Sequence, residues 1–371
     1  MTSPFRPDWT GRQARLRTLV TSMHLDALVV TTPLNVTYLT GFTGSSGLLV
    51  VFPERVVFVT DGRYDLVVRR ATAEGRMAAM DLSRVARRYD LTLAEVLFHA
   101  GASRVGFEAG HVTVSTLGTW GRVAPGITWL PYERLVEGLR MIKDANEIEV
   151  FRRGGRLISD VARQLPSILA LGGTERDVAD RIEAAILGAG FERLAFPTIV
   201  AAGPNSAQPH STPGTRHLAD GDLVVLDFGG VLDGYCVDLT RAAAVGRVSE
   251  DAKSLFDAVY EARNAAVKAV KVGQKTSDVD AAARGVLEAR GLGEAFSHST
   301  GHGLGLEIHE APRVARADPE SPELVEAGMV FTIEPGAYLE SVGGVRLEDD
   351  VLVTAGGPEV LTDAPLGLIV V

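Results

Sequence analysis

A single cysteine, Cys236, stands in 371 residues. One thiol rules out an internal disulfide and fits a reducing compartment. Basic charge is also short: 37 Lys and Arg face 47 Asp and Glu, for a net charge of −10 and a pI near 5.4. That balance argues against a nucleic-acid or anionic-membrane surface, since both need clustered cations. No stretch of 18 or more apolar residues occurs, and the opening segment MTSPFRPDWTGRQARL has no apolar signal core. A cytoplasmic protein without an anchor is the expectation. What is present is ordinary for a globular chain, 46% hydrophobic and 23% charged, and long enough for two domains with separate cores.

In the first third, apolar residues at helical spacing over 11–24 precede a buried-strand run at 26–32. A hairpin is predicted over Leu48–Asp61 about Pro53-Glu54, helices over 71–80 and 91–99, and a strand over 104–107. Alternating helices and buried strands suggest an α/β domain. Its loop LTGFTGSSG (39–47) is a candidate domain-face segment. Pro131 places a linker near 130–143, after which Lys143-Asp144-Ala145-Asn146-Glu147 reads as a helix start with acids in its first turn.

The second part carries the chemistry. LVVLDFGGVLDGYCVDLTR (223–241) reads as two strands folded about a turn near 231–233, with Asp227 roughly opposite Asp238. Two carboxylates set in apolar strands repel one another, and burying them unpaired is costly unless a cation lies between them. The bland alternative is a pair of unrelated acids on a solvated face. Helices predicted over 146–171 and 175–188 lead into this hairpin. Helices over 251–272 and 277–290 lead into a second, 329–354, where Glu334 and Glu348 follow Asp227 and Asp238 by 107 and 110 residues. Near-constant offsets suggest a duplicated unit whose hairpins meet at one centre. Gly154 and Gly155 put the continuity of the first helix in doubt. Tyr235 and Cys236 read as packing residues.

Five of the eight histidines lie between 210 and 309: His210, His217, His298, His302 and His309. Glycines on both sides of His302 leave its imidazole room to reach a ligand. Four carboxylates and one imidazole suit Mn²⁺, Co²⁺, Fe²⁺ or Zn²⁺, and carboxylates can bridge two ions roughly 3.5–4 Å apart. Such a pair acidifies water and polarises a carbonyl, which makes amide or ester hydrolysis the expected chemistry.

The strings PHSTPG (209–214), LDFGGVLDGYCVDLTR (226–241), HSTGHGLGLEIHEAPRV (298–314), FTIEPGAYL (331–339) and GGVRLEDDVLVT (343–354) resemble the metallopeptidases of pita-bread fold. That family includes aminopeptidase P, prolidase and methionine aminopeptidase. NVTYLTGFTGSSG and VFVTDGRY resemble the creatinase-like domain of its Xaa-Pro-cleaving branch. The resemblance implies an α/β (α+β) chain, with a creatinase-like N-terminal domain over 1–137 and a pita-bread catalytic domain over 138–371. It implies that Asp227 chelates one metal, that Asp238 and Glu348 bridge, and that His302 and Glu334 hold the second. Glu334 would carry the proton, and His210 and His309 would hydrogen-bond the substrate. His298 would contact substrate and Arg346 would order the site. Two divalent ions, with Mn²⁺ the family expectation and Co²⁺ or Zn²⁺ alternatives, a homodimer, and peptides with proline second are implied as cofactors and partners. The loop LTGFTGSSG has no cation to pair a dipeptide's carboxylate, and Arg63 is the nearest in sequence. The expectation therefore leans to an Xaa-Pro aminopeptidase over a dipeptidase. A metal-free binding module and a creatinase-type amidinohydrolase are the remote alternatives.

Overall fold

The structure is a computed structural model, which describes residues 6–170, 172–318 and 323–371. The chain divides into two compact units, Met1–Arg140 and Met141–Val371.

The first unit is built on a six-stranded sheet, in the order Asp81–Arg84, Val56–Thr60, Leu48–Val51, Ala27–Val30, Arg104–Glu108, Thr128–Tyr132. The hairpin about Pro53-Glu54 forms, with Val51 opposite Val56. The strands it adds to are buried throughout, as their Val- and Leu-rich runs require. Three predictions here need correction. The helix expected over 71–80 runs instead from Asp65 to Ala73, and Gly75, at φ 67°, stops it. The helix expected over 91–99 begins earlier, at Tyr89. The linker expected from Leu130 is strand and then helix: Pro131 sits in the edge strand, where a missing N–H costs no ladder bond, and Leu135–Met141 is helical.

In the second unit Asp144 and Glu147 form a capping box that opens helix Ala145–Ala162. That helix is unbroken across Gly154 and Gly155. A Cβ on Gly155 would lie 2.3 Å from the Leu361 carbonyl oxygen, and one on Gly154 would lie 2.8 Å from Val237 Cγ1. The two glycines let the helix lie directly on the sheet. The helix expected to continue to residue 171 stops at Ala162. A second, Leu165–Ala170, carries Pro166 in its first turn; Leu171 itself lies outside the described residues.

Two mainly antiparallel sheets follow, each preceded by helices; in the first, Ile369–Val370 adds to Tyr235–Ala244 in parallel. One is centred on strands Leu223–Leu232 and Tyr235–Ala244, the other on Val330–Ile333 and Asp349–Thr354, with Glu175–Gly188 before the first and Glu250–Ala269 and Thr276–Ala289 before the second. The hairpins meet: the Glu348 N–H donates to the Thr240 carbonyl at 3.2 Å. Tyr235 and Cys236 are buried, and Tyr235 donates its hydroxyl to Glu147 at 2.8 Å. Among the described residues no helix is long and apolar enough to cross a membrane.

Candidate active site

The first hairpin turns at Asp233-Gly234, both at positive φ, and its register puts Asp227 opposite Thr240 and Asp238 opposite Gly229. The two aspartates are therefore not directly opposed, as the sequence reading had them. They lie on one face, offset by two positions. The Asp-Gly dipeptide, a strong two-residue turn signal, carried this register in the sequence. In the second hairpin the two glutamates flank the ladder rather than lie within it. Glu334 follows Val330–Ile333, Glu348 precedes Asp349–Thr354, and the ladder residues between them are Ile333 and Asp349.

His302 sits on the short strand Gly301–Gly303, held close to its neighbour because a Cβ on Gly301 would lie 1.8 Å from the Thr332 carbonyl oxygen. Its Nδ1 lies 3.2 Å from the Gly303 carbonyl, which can only accept, so Nδ1 carries the proton and Nε2 presents a lone pair. That lone pair faces Glu334 Oε1 at 3.5 Å and Asp238 Oδ2 at 3.9 Å. Asp238, His302 and Glu348 each offer an atom within 4.8 Å of the others'. Asp227 Oδ1, Asp238 Oδ1 and Glu348 Oε1 are buried without a hydrogen-bond partner among the described residues. These three oxygens are left over after the neighbouring donors are used, and they converge with the His302 lone pair, an arrangement that fits a divalent cation.

The electrostatics follow from burial. Desolvation, with Glu348 and Asp227 nearby, raises Asp238 well above the usual carboxylate range, and desolvation, with Glu334 and Asp227, does the same to Glu348. Glu334 is pushed up to about 7, chiefly by burial. Burial, with His309 beside it, lowers His302 to about 4 and keeps the ring in the neutral, ligating form.

Asp227 meets the guanidinium of Arg346, whose Nη2 donates to Oδ2 at 2.5 Å. Arg346 also donates to Thr240 Oγ1, to the Pro209 carbonyl and to the Tyr338 hydroxyl. His298 donates from Nδ1 to the Ser299 carbonyl and accepts at Nε2 from Tyr338, so both ring nitrogens are occupied within the protein. His309 stacks edge-on against His302 with ring centroids 4.3 Å apart, and burial lowers its pKa, with His210 adding to the effect. His210 lies exposed on the loop after Gly203–Ala207, next to the Pro209 carbonyl that Arg346 holds. His217 instead forms an isolated antiparallel bridge with Thr174.

Three groups were invisible to sequence reasoning. Thr240 Oγ1 donates to Glu348 Oε2 at 2.6 Å. Tyr338 links Arg346 to His298. Asp349, adjacent to Glu348, is clasped by Arg241 and Arg263, and Arg241 also holds the Glu348 carbonyl at 2.7 Å. Each depends on a contact between segments far apart in sequence.

Two sheets closing on a cluster of buried carboxylates and one imidazole define a hydrolytic metalloenzyme of pita-bread fold, in a chain that also carries a creatinase-like domain. Residues 149–355 match the model of metallopeptidase family M24, and residues 12–142 match the creatinase/prolidase N-terminal domain. The chain belongs to metallopeptidase family M24. It is 35% identical over 356 residues to the uncharacterized peptidase YqhT of Bacillus subtilis, covering 96% of this chain and 99% of that one. Among solved structures, a Xaa-Pro dipeptidase from Bacillus anthracis superposes with a TM-score of 0.91 at 33% identity, over 98% of this chain and 100% of the other. An X-Pro aminopeptidase from Thermotoga maritima superposes with 0.86 at 29% identity, over 96% and 100%.

Proposed function

We propose that this chain hydrolyses the bond between an N-terminal residue and a following proline. The observation that carries the reading is the cluster of buried oxygens and one imidazole lone pair with no proton to share. Asp227, Asp238, His302, Glu334 and Glu348 would hold two divalent ions, of which Mn²⁺ is the first candidate and Co²⁺ or Zn²⁺ alternatives. The ions, when bound, supply Lewis acidity and lower the pKa of water. Glu334 would accept the proton of the attacking water and return it to the proline nitrogen as the C–N bond breaks. Neutral His309 donates to the substrate carbonyl, and His210 assists from its loop. Arg346 fixes Asp227 and the His210 loop together. Tyr338 fixes His298, which shapes the pocket beside Phe296, whose ring stands 5.1 Å from it.

For chain length we favour an aminopeptidase. The loop Leu39–Gly47 has no cation, and Arg63 is neutralised by Asp61, to which its Nε and Nη2 donate at 2.9 and 2.8 Å. A dipeptidase is the second reading, favoured by the names of relatives such as the Bacillus anthracis enzyme and the prolidase from Pyrococcus horikoshii. Mn²⁺-loaded protein is tested on an Xaa-Pro dipeptide, an Xaa-Pro-Yaa tripeptide and an Xaa-Ala-Yaa control. Release of Xaa from both Pro substrates, faster from the tripeptide, is the expected result. A clear dipeptide preference selects the second reading, and equal cleavage of the alanine control overturns both. A homodimer belongs to the same reading and is checked by light scattering.

A further inference from the structure

The loop 203–214 carries His210, yet His210 itself is exposed and its side chain makes no hydrogen bond among the described residues. The loop is held from outside. On one side Ser206 Oγ accepts from the Gly344 N–H at 2.9 Å, and Arg346 grips the Pro209 carbonyl. On the other side stands Glu175, at the first position of helix Glu175–Gly188 and 0% exposed. Its Oε1 accepts from the Ala202 N–H at 2.8 Å and from Asn205 Nδ2 at 3.0 Å, and its Oε2 accepts from the Gly214 N–H at 3.0 Å. One buried carboxylate thus ties together the two ends of the loop. A carboxylate is suited to this because it accepts on both oxygens and donates on neither. Gly214 comes close enough that a Cβ there would stand 3.4 Å from Oε2.

We infer that Glu175 is a positioning residue for His210: it closes the loop 203–214 at its base and so sets where the imidazole stands relative to Arg346 and His309. The inference rests on the reading of His210 as a substrate-binding residue. Glu175 contacts none of the acceptor cluster. Its influence on the reaction runs through the loop. Glu175→Gln keeps the size of the side chain but turns one accepting oxygen into an NH₂ that must face an N–H, so one tie at the loop's base is lost while the Arg176 N–H bond to the Gly214 carbonyl stays.

The test has two arms. Hydrogen exchange by mass spectrometry compares loop 203–214 with helix Glu250–Ala269 in wild type and Glu175→Gln. The loop is expected to exchange faster and the helix to be unchanged. In parallel, kcat/KM is measured in wild type, Glu175→Gln, His210→Ala and the double variant. A loss of about tenfold or more is expected from Glu175→Gln in wild type, and less than about twofold in the His210→Ala background, because coupled residues are non-additive. Equal losses in both backgrounds, or unchanged loop exchange, overturn the inference. Asn205→Ala removes one donor and leaves the carboxylate with two. It gives the same pattern at smaller size, and decides the matter if Glu175→Gln fails to fold. Should the wild type cleave no Xaa-Pro peptide, the exchange arm still decides whether Glu175 clamps the loop, so the two failures are distinguishable.

Discussion

Thr240 stands directly across the ladder from Asp227 and donates its hydroxyl proton to Glu348 Oε2 at 2.6 Å. The residue that faces one acid of the first hairpin thereby orients an acid of the second, over a sequence gap of 108. Thr240→Val keeps the shape and removes this bond together with the one that Oγ1 accepts from Arg346 Nε. Outer-shell changes of this kind typically lower metal affinity or activity by about 10–100-fold. Titration of Mn²⁺ into the stripped variant by calorimetry is expected to show weaker binding, with kcat falling in step. Wild-type affinity in the variant would show that Glu348 needs no such support.

Chelation is expected to destabilise the protein most at alkaline pH. Asp238, Glu348 and Glu334 all have raised folded-state pKa values, with Glu334 near 7. For groups raised on folding, the stabilisation is complete below the unfolded carboxylate pKa and is lost as pH rises through the folded value. His298 and His302, lowered to about 4, act oppositely and cost stability as pH falls from about 6.5 toward 4. Above about pH 6.5 the histidines are neutral folded and unfolded, and the raised carboxylates set the slope. Melting of metal-free protein should therefore occur at progressively lower temperature from pH 7 to 8.5, while the Mn²⁺-loaded form stays level. Parallel curves for the two forms would contradict this.

Gly155→Ala places a methyl 2.3 Å from a backbone carbonyl that cannot rotate away, whereas Gly154→Ala meets side-chain methyls alone, of Val237 and Leu232. Overpacking costs about 1–3 kcal/mol, partly offset by about 1 kcal/mol of helix propensity. Denaturant titration should find Gly155→Ala destabilised by up to about 2 kcal/mol, the upper end of the difference between those two figures, and Gly154→Ala closer to neutral.

Cys236 is buried, and desolvation pushes its thiol up to about 12. The thiolate is the reactive form, so the native chain should resist iodoacetamide at pH 8.5 and be alkylated only in denaturant. Mass spectrometry of the intact protein reads the outcome directly. Rapid modification of the folded protein would show that strand Tyr235–Ala244 opens locally.

Much of the site could be read from the chain. Asp227 and Asp238 stood out because acids are out of place in strands as apolar as LVVL and YCV, and His302 because glycines flank it. The register of the first hairpin was legible too, in Asp233-Gly234. Gly154 and Gly155 were legible only as an anomaly, since a helix propensity says nothing about the sheet the helix rests on. Tyr338, Thr240 and Glu175 left no mark, because a tyrosine, a threonine in a strand and a glutamate in a helix's first turn are each ordinary where they stand.

The sequence by itself determined which groups are available: four carboxylates and an imidazole set in segments too apolar to solvate them, in two halves of matching pattern. Local chemistry suffices for that, because strand and helix periods decide which side chains are withdrawn from water. Only the tertiary structure decided how those groups are held. The two-position offset of Asp227 from Asp238, the Thr240 bond to Glu348, the Arg346 bridge and the Glu175 clamp all arise where distant segments pack, and contacts of that kind follow from the way the sheets close on each other.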